Sequence, residues 1–257
     1  NAIKKLGIKV QYNKRICKVY GKGVDGYQFK KGLVINAENS GTLGRLILGL
    51  LINTKFPIRL IGDKSLSKRD FKRITDPLSK FGATFKLKNK KNLPLVINGS
   101  SNLNSFRYSE NKGSAQCKSA VILGGLRSNG ATLIKAKKSR NHTELLCKYL
   151  KLPITFKSKK NYDLIKVNKV QKIKAFNYKI PSDISSSAFF ITLTVLSKNS
   201  ELTLKNVNIN PTRIGILKIL KLMGIKIQIM KSKNYKGEKI ADLKIKSQFT
   251  INPIKCP

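Results

Sequence analysis

Asn111-Lys112-Gly113-Ser114-Ala115-Gln116-Cys117-Lys118-Ser119-Ala120-Val121-Ile122-Leu123-Gly124-Gly125-Leu126 is the stretch on which the fold turns. Small and polar residues open it, and an apolar helical pattern follows. Ser114, Ala115 and Gln116 stand where a helix would start, and the first backbone N–H groups of a helix have no intrahelical partner. The helix dipole adds partial positive charge there, so the position suits an anion. An ordinary capped core helix has the same appearance. What favours the anion reading is recurrence. A similar opening stands at Asn39-Ser40-Gly41-Thr42, ahead of an apolar helix over 45–51. Another stands at Ser182-Asp183-Ile184-Ser185-Ser186-Ser187, ahead of Phe189, Phe190 and Ile191.

Outward from these openings the chain repeats. The three helix leaders start at residues 39, 114 and 183, intervals of 75 and 69. Three loop arginines, Arg69, Arg140 and Arg213, lie 71 and 73 residues apart. Around the first leader, the pattern predicts a strand over 33–35, the helix, a strand over 58–61 and a polar loop over 62–69. An amphipathic helix over 70–81 follows, with Phe71, Ile74, Leu78 and Phe81 on one face. Pro77 should kink or shorten it, and Gly82 should stop it. Strands over 84–87 and 95–97 close the copy. The second copy gives the helix to Leu126, a strand over 131–134, a loop over 138–142, a helix over 143–150 and strands over 154–156 and 164–167. The third opens at Tyr178-Lys179-Ile180-Pro181. It gives a helix, a strand over 201–204, a loop over 208–213, a helix over 214–223 and strands over 225–230 and 243–245. Ahead of them, residues 1–30 read as the tail of an earlier unit, with a helix end and two short strands about a turn at Asn13-Lys14. Each copy is β-α-β-α-β-β, a period too long for a solenoid, so each should be a small subdomain packed on its siblings.

Composition bounds the function. Of 257 residues 40% are hydrophobic, enough for a packed core. Lys plus Arg number 53 against 12 Asp plus Glu, a formal charge of +41. That attracts anions of any kind. The lysines are spread along the chain beside many Ile and Asn residues, so most are read as a solvated surface. No zinc-finger spacing, aromatic RNA-binding signature or basic zipper is present. The four cysteines, Cys17, Cys117, Cys147 and Cys256, show no C-x-x-C spacing and read as reduced thiols of a cytoplasmic protein. No apolar run approaches the ~18 residues of a membrane span. The chain opens at Asn1 without Met and stops at Lys255-Cys256-Pro257 in mid-pattern, which reads as a piece of a longer protein.

The motifs resemble those of one family, the 5-enolpyruvylshikimate-3-phosphate synthases. The matching segments are Asn39-Ser40-Gly41-Thr42 with Arg45, Gly62-Asp63-x-Ser65-Leu66-x-Lys68-Arg69 and Ser114-Ala115-Gln116-x-Lys118-Ser119-Ala120. Ser139-Arg140-Asn141-His142-Thr143-Glu144, Asp183-x-Ser185-Ser186-x-Ala188-Phe189 and Asn210-Pro211-Thr212-Arg213-x-Gly215 complete the set. Together they span nearly the whole chain. The resemblance implies an α/β (α+β) fold of repeated β-α-β-α-β-β subdomains, the enolpyruvyl transferase or inverse α/β barrel fold, in two lobes and incomplete here. Residues 1–178 would form part of the first lobe and 179–257 the first copy of the second. The sister family acting on UDP-N-acetylglucosamine shares the fold but matches poorly, since its reactive-Cys loop and Arg-Pro-Val-Asp motif are not recognisable.

The implied enzyme is a 3-phosphoshikimate 1-carboxyvinyltransferase of aromatic amino acid (chorismate) biosynthesis. The 5-hydroxyl of shikimate 3-phosphate adds to phosphoenolpyruvate, and phosphate leaves from the tetrahedral intermediate. Neither metal nor cofactor is required, and neither nucleic acid nor membrane is an expected partner. A monomer is expected at full length. The resemblance assigns Gly41, Thr42, Arg69 and Gln116 to phosphoenolpyruvate, and Ser114, Ala115, Gln116, Ser139 and Arg140 to shikimate 3-phosphate. Ala115 stands where some members have a second Ser, so only its backbone N–H would serve. His142 stands where some members have Tyr. Lys118 reads as solvated or set behind the site, Arg45 as a brace of the fold, Asp183 as a helix cap, and Asn210 to Arg213 as structural. The family's proton-moving Asp, Glu and Lys, its N-terminal Lys-Ser pair and two further arginines have no counterparts here, so no catalytic residue is expected in this chain and it should be inactive by itself. The competing reading from another class is a basic nucleic-acid-binding protein.

Overall fold

The computed structural model describes residues 1–248 and 251–254; Cys256 lies outside them. The chain opens with a short helix, α1 (Ala2–Lys5), and a hairpin of β1 (Lys9–Tyr12) and β2 (Cys17–Tyr20). Asn13 turns the hairpin: its side-chain oxygen accepts from the N–H groups of Arg15 and Ile16.

Three versions of one topology follow. The first comprises β3 (Val34–Asn36), α2 (Gly41–Leu51), β4 (Ile58–Ile61), α3 (Lys64–Ser67), α4 (Lys72–Ser79), β5 (Thr84–Lys88) and β6 (Asn92–Asn98). Its sheet order is β3-β4-β6-β5, with β3 parallel to β4 and the other pairs antiparallel. A helical crossover is what allows the parallel pair, and a tight turn is what allows the β5–β6 hairpin. That turn holds Asn89 and Lys90 at φ 49° and 60°, the left-handed region that hairpin turns favour. The second version comprises β7 (Arg107–Glu110), α5 (Ala115–Gly125), β8 (Thr132–Lys137), α6 (His142–Tyr149), β9 (Ile154–Ser158) and β10 (Tyr162–Val167), in the order β7-β8-β10-β9. The third comprises α7 (Ile184–Leu196), β11 (Glu201–Asn208), α8 (Gly215–Leu222), β12 (Ile227–Tyr235) and β13 (Glu238–Lys246), in the order β11-β13-β12.

Four local features differ from the sequence reading. The polar loop 62–69 contains a helical turn, α3, because Asp63 caps it: the Leu66 N–H donates to Asp63 Oδ1 at 2.6 Å, and Leu66 turns inward. The helix expected over 70–81 contracts to Lys72–Ser79. Pro77 lies inside it and offers no N–H, and the chain beyond tightens into i→i+3 bonds from Lys80, Phe81 and Gly82. The strand Arg107–Glu110 had no apolar run to announce it. In the third version the strand expected before the helix reduces to one parallel bridge, Ser182 to Val207, next to Pro181, which cannot donate to a ladder.

The described chain forms two compact units. One holds Asn1–Ser139 and Leu150–Ala175; the other holds Arg140–Tyr149 and the described residues from Phe176 onward. In the first, α2, α4 and α5 pack on one another. The strands supply alternate residues to this core: Ile58 and Leu60 from β4, Leu93, Leu95 and Ile97 from β6, Ile134 and Ala136 from β8. Phe71 and Phe81, at the two ends of α4, are fully buried. Gly49 lets α2 and α5 touch: a Cβ there would lie 2.3 Å from the Ala120 carbonyl oxygen. The second unit has its own core of Ile184, Ile191, Val195, Val207, Leu217, Leu220, Leu243 and Ile245.

Candidate anion-binding site

In the first unit, Asn36 and Ile61 end the parallel pair β3–β4, and Glu110 and Ala136 end the pairing of β7 with β8. Open α/β sheets bind ligands beyond the carboxyl ends of such strands, where loops lead into helix N-termini. The loop after β3 enters α2 through Ser40, whose Oγ accepts from the Leu43 N–H at 3.1 Å. The loop after β7 enters α5 through Ser114, whose Oγ accepts from the Cys117 N–H at 3.3 Å. In both helices the cap satisfies the third N–H and leaves the first two without intrahelical acceptors: Gly41 and Thr42 in α2, Ala115 and Gln116 in α5.

The contact of α2 with α5 brings these starts together. Gln116 Nε2 donates to Thr42 Oγ1 at 2.9 Å, across 74 positions of sequence. Arg45, one turn into α2, donates from Nη1 to Gln116 Oε1 at 2.5 Å, and its guanidinium lies 5.8 Å from the centre of the buried Phe71 ring. Arg69 arrives from the loop after α3. A Cβ on Gly41 would lie 3.0 Å from Arg69 Nη1 and 3.4 Å from Arg45 Nη1, so two guanidinium groups converge over that glycine. No described residue pairs with the Arg69 guanidinium. The backbone behind it is clamped instead: Asn92 Nδ2 donates to the carbonyls of Lys68 and Arg69. Asn39 ties the two loops by donating to Asp63 Oδ2 at 2.6 Å, and this bond together with the Leu66 N–H holds the Asp63 carboxyl below its usual range. Burial pulls the Arg45 guanidinium below its ordinary value; the positive charges of Arg69 and Arg73 add to that, against Cys117 and Asp70.

Ser139 follows β8 on the same side: Gly113, just before the Ser114 cap, would place a Cβ 3.3 Å from the Lys138 carbonyl oxygen. Its Oγ is buried and has no hydrogen-bond partner among the described residues. Arg140 is exposed and opens the segment that belongs to the second unit. Gly41, Thr42, Arg69 and Gln116 thus form one cluster, with Ser114 and Ala115 at the helix start that carries Gln116. The sequence reading took Arg45, which goes with the Asn39-Ser40-Gly41-Thr42 motif, as a brace of the fold and gave it no part in holding Gln116; it did not single out Asn92, which has no motif to mark it. Lys118, read as solvated or behind the site, is fully buried.

In the second unit, His142 Nδ1 pairs with Glu238 Oε1 at 2.5 Å, and Asn210 Nδ2 donates to Glu238 Oε2 and to Asn141 Oδ1. Burial raises the Glu238 carboxyl, but the bond and charge of His142, with Asn208 and Asn210, bring it below its usual value overall. Asn210 also accepts from the Thr212 N–H and hydroxyl. Asp183 caps α7 and pairs with Arg213 at 2.7 Å. Cys17, Cys117 and Cys147 are free thiols, and burial pushes Cys147 up to about 11. Among the described residues no three His, Cys, Asp or Glu side chains converge as metal ligands, and no helix is long and apolar enough to cross a membrane.

Residues 1–254 match the family model described as EPSP synthase (3-phosphoshikimate 1-carboxyvinyltransferase). This chain belongs to the EPSP synthase family. A 3-phosphoshikimate 1-carboxyvinyltransferase of Ruthia magnifica is 41% identical over 249 residues, covering 96% of this chain and 56% of that protein. One from Petrotoga mobilis is 40% identical over 231 residues, 89% of this chain and 52% of that one. The chain therefore spans about half the length of the curated relatives it matches. The EPSP synthase structure from Acinetobacter baumannii superposes with a TM-score of 0.85 at 33% identity, over all of this chain and 58% of the other. The enolpyruvyl transferase NikO from Streptomyces tendae gives 0.68 at 13% identity, over 98% of this chain and 57% of that one, which shows the shared fold alone. Both the family and the mixed α/β enolpyruvyl transferase fold are those the motifs implied.

Proposed function

We propose that this chain carries the first-lobe anion cradle of an EPSP synthase, which transfers the enolpyruvyl group of phosphoenolpyruvate to the 5-hydroxyl of shikimate 3-phosphate. The observation that supports this best is the convergence of two guanidinium groups over Gly41, that of Arg69 without a hydrogen bond or ion pair among the described residues, beside two helix starts whose neutral serine caps leave the first two N–H groups free of intrahelical acceptors. Like charges brought together in a partly desolvated place invite an anion. Arg69 grips phosphoenolpyruvate as a fork, while Gly41 lets it approach the start of α2 and Thr42 adds a hydroxyl. Gln116 lies between the two substrates. Ser114 and Ser139 offer hydroxyls to the shikimate phosphate, Ala115 its backbone N–H, and Arg140, next in the chain to Ser139, further charge. These groups are set before the substrates arrive, so they stabilise charge that moves to the leaving phosphate without reorganising. The reaction is one of proton transfer and phosphate departure, without metal or cofactor, in the cytoplasm. The lobe boundary falls near Tyr178 to Asp183.

Calorimetric titration tests the reading. Shikimate 3-phosphate should bind at fixed salt, phosphoenolpyruvate should follow, and Arg69→Ala should weaken the second by a few kcal/mol, the scale of a lost charge-assisted pair. Tight DNA binding that persists at physiological salt, with no metabolite binding, would instead favour the nucleic-acid reading.

A further inference from the structure

We infer that Arg45 is a positioning residue that decides which end of the Gln116 amide meets the ligands, so that Gln116 and Thr42 act only as hydrogen-bond donors toward them. The inference rests on the anion-binding reading for the ligand, but not for the orientation of the amide. A guanidinium has donors and no acceptor, so the atom 2.5 Å from Arg45 Nη1 must be the amide oxygen. The two ends of a glutamine amide are nearly isosteric, and only their partners choose between them. With Oε1 held by Arg45, Nε2 faces Thr42 and donates to its Oγ1 at 2.9 Å. Nε2 keeps a second N–H, and the Thr42 hydroxyl, having accepted, is left with its own proton to give. The result is a one-way chain of donors that starts at a fixed positive charge and ends at a neutral hydroxyl and amide N–H. In such a chain each bond polarises the next.

The flipped amide would present an oxygen lone pair to an incoming phosphate or carboxylate and repel it. Arg45 removes that state. It is itself well placed to do so, since it stands one helical turn beyond the Ser40 cap and its guanidinium faces the ring of Phe71, a fully buried side chain. Lys would not replace it equally, because an ammonium on a shorter reach has neither the planar fork nor the stacking face.

The experiment uses the whole chain with isotope-labelled glutamine, the Gln116 side-chain amide being the signal lost in Gln116→Ala. In the unmodified chain its two protons should be well separated. In Arg45→Met they should move toward the values of a free glutamine side chain, with Arg45→Lys between. Phosphoenolpyruvate affinity, measured with shikimate 3-phosphate present, should fall about tenfold in Arg45→Met, the loss of roughly one hydrogen bond. In the Gln116→Ala background, Arg45→Met should cost clearly less than in the unmodified chain, the remainder being the direct pull of its charge on the anion, whereas a purely structural arginine would give additive losses. An unchanged amide signal in Arg45→Met, or additive losses, would overturn the inference. Should the unmodified chain bind neither substrate, the functional reading falls and the amide signal still decides the orientation.

Discussion

The start of α5 and the start of α7 occupy the same place in the repeat, yet one is left open and the other is closed. Ser114 caps α5 with a neutral hydroxyl and leaves the helix dipole uncompensated. Asp183 caps α7 with a carboxylate that takes the N–H groups of Ser185 and Ser186 and pairs with Arg213. The charge a phosphate would bring is already there. The two helices also differ in cover. α5 lies against α2 with nearly every residue buried. In α7, the more apolar of the two in sequence, Phe189 is 80% exposed and Leu193 64%. The same motif therefore leaves a helix start free of negative charge or fills it with a paired carboxylate according to one side chain, and gives a core helix or an exposed one according to whether a sibling packs beside it.

Breaking the α2–α5 contact should have the largest effect. Gly49→Ala places a methyl 2.3 Å from a backbone oxygen that cannot turn aside, so a loss of about 3 kcal/mol is expected, read as a fall in the urea midpoint. Gly215→Ala, where a Cβ meets nothing, should instead hold or raise it.

Exchanging the caps sharpens the comparison next. Ser114→Asp keeps a good N-cap but puts a negative charge where the shikimate phosphate would dock. Shikimate 3-phosphate affinity should drop by about 2 kcal/mol, roughly thirtyfold, with the thermal midpoint little changed. The reciprocal Asp183→Ser should leave affinity alone and lower the stability of the second unit instead. Equal binding by Ser114→Asp and the unmodified chain would remove the open start of α5 from the site.

Acid gives a smaller contrast. Burial raises the Asp183 carboxyl, but the Ser185 and Ser186 donors and Arg213 outweigh it, so its folded value lies below the ordinary 3.8. A depressed value means stability that is fully present above about pH 4 and lost as the pH falls through the lower folded value. Because the group is mostly exposed, the loss should be at most about 1 kcal/mol. Amide exchange along α7 should accelerate over that interval, and Asp183→Asn should flatten the dependence.

The smallest effect belongs to the exposed face of α7. Phe189→Lys should change stability by no more than about 0.5 kcal/mol while raising the solubility limit, since an uncovered ring contributes little to the core and much to association. A loss like that of Gly49→Ala would mean that the ring is covered after all.

The chain itself determined the repeat, because hydrophobic period and turn residues act over a few positions and are written in order. The α2, α5 and β4 segments were legible for that reason, and so were the Ser114 and Asp183 caps. Candidate site residues were legible only as motifs: Gly41, Thr42, Arg69 and Gln116 stand in three separate segments, and nothing local says that they meet. Tertiary structure decided that through a packing contact, Gly49 on Ala120, which brings two helix starts within hydrogen-bond reach. It also decided that Arg45 holds the Gln116 amide, that Asn92 clamps the Arg69 loop, and that Ser182 makes one bridge where a strand was expected. Each of these depends on partners 20 or more residues away. Sequence pattern reports the preference of a segment for a conformation and a face. Which groups share a face across the chain is fixed by shape complementarity between distant segments, and no local pattern carries that information.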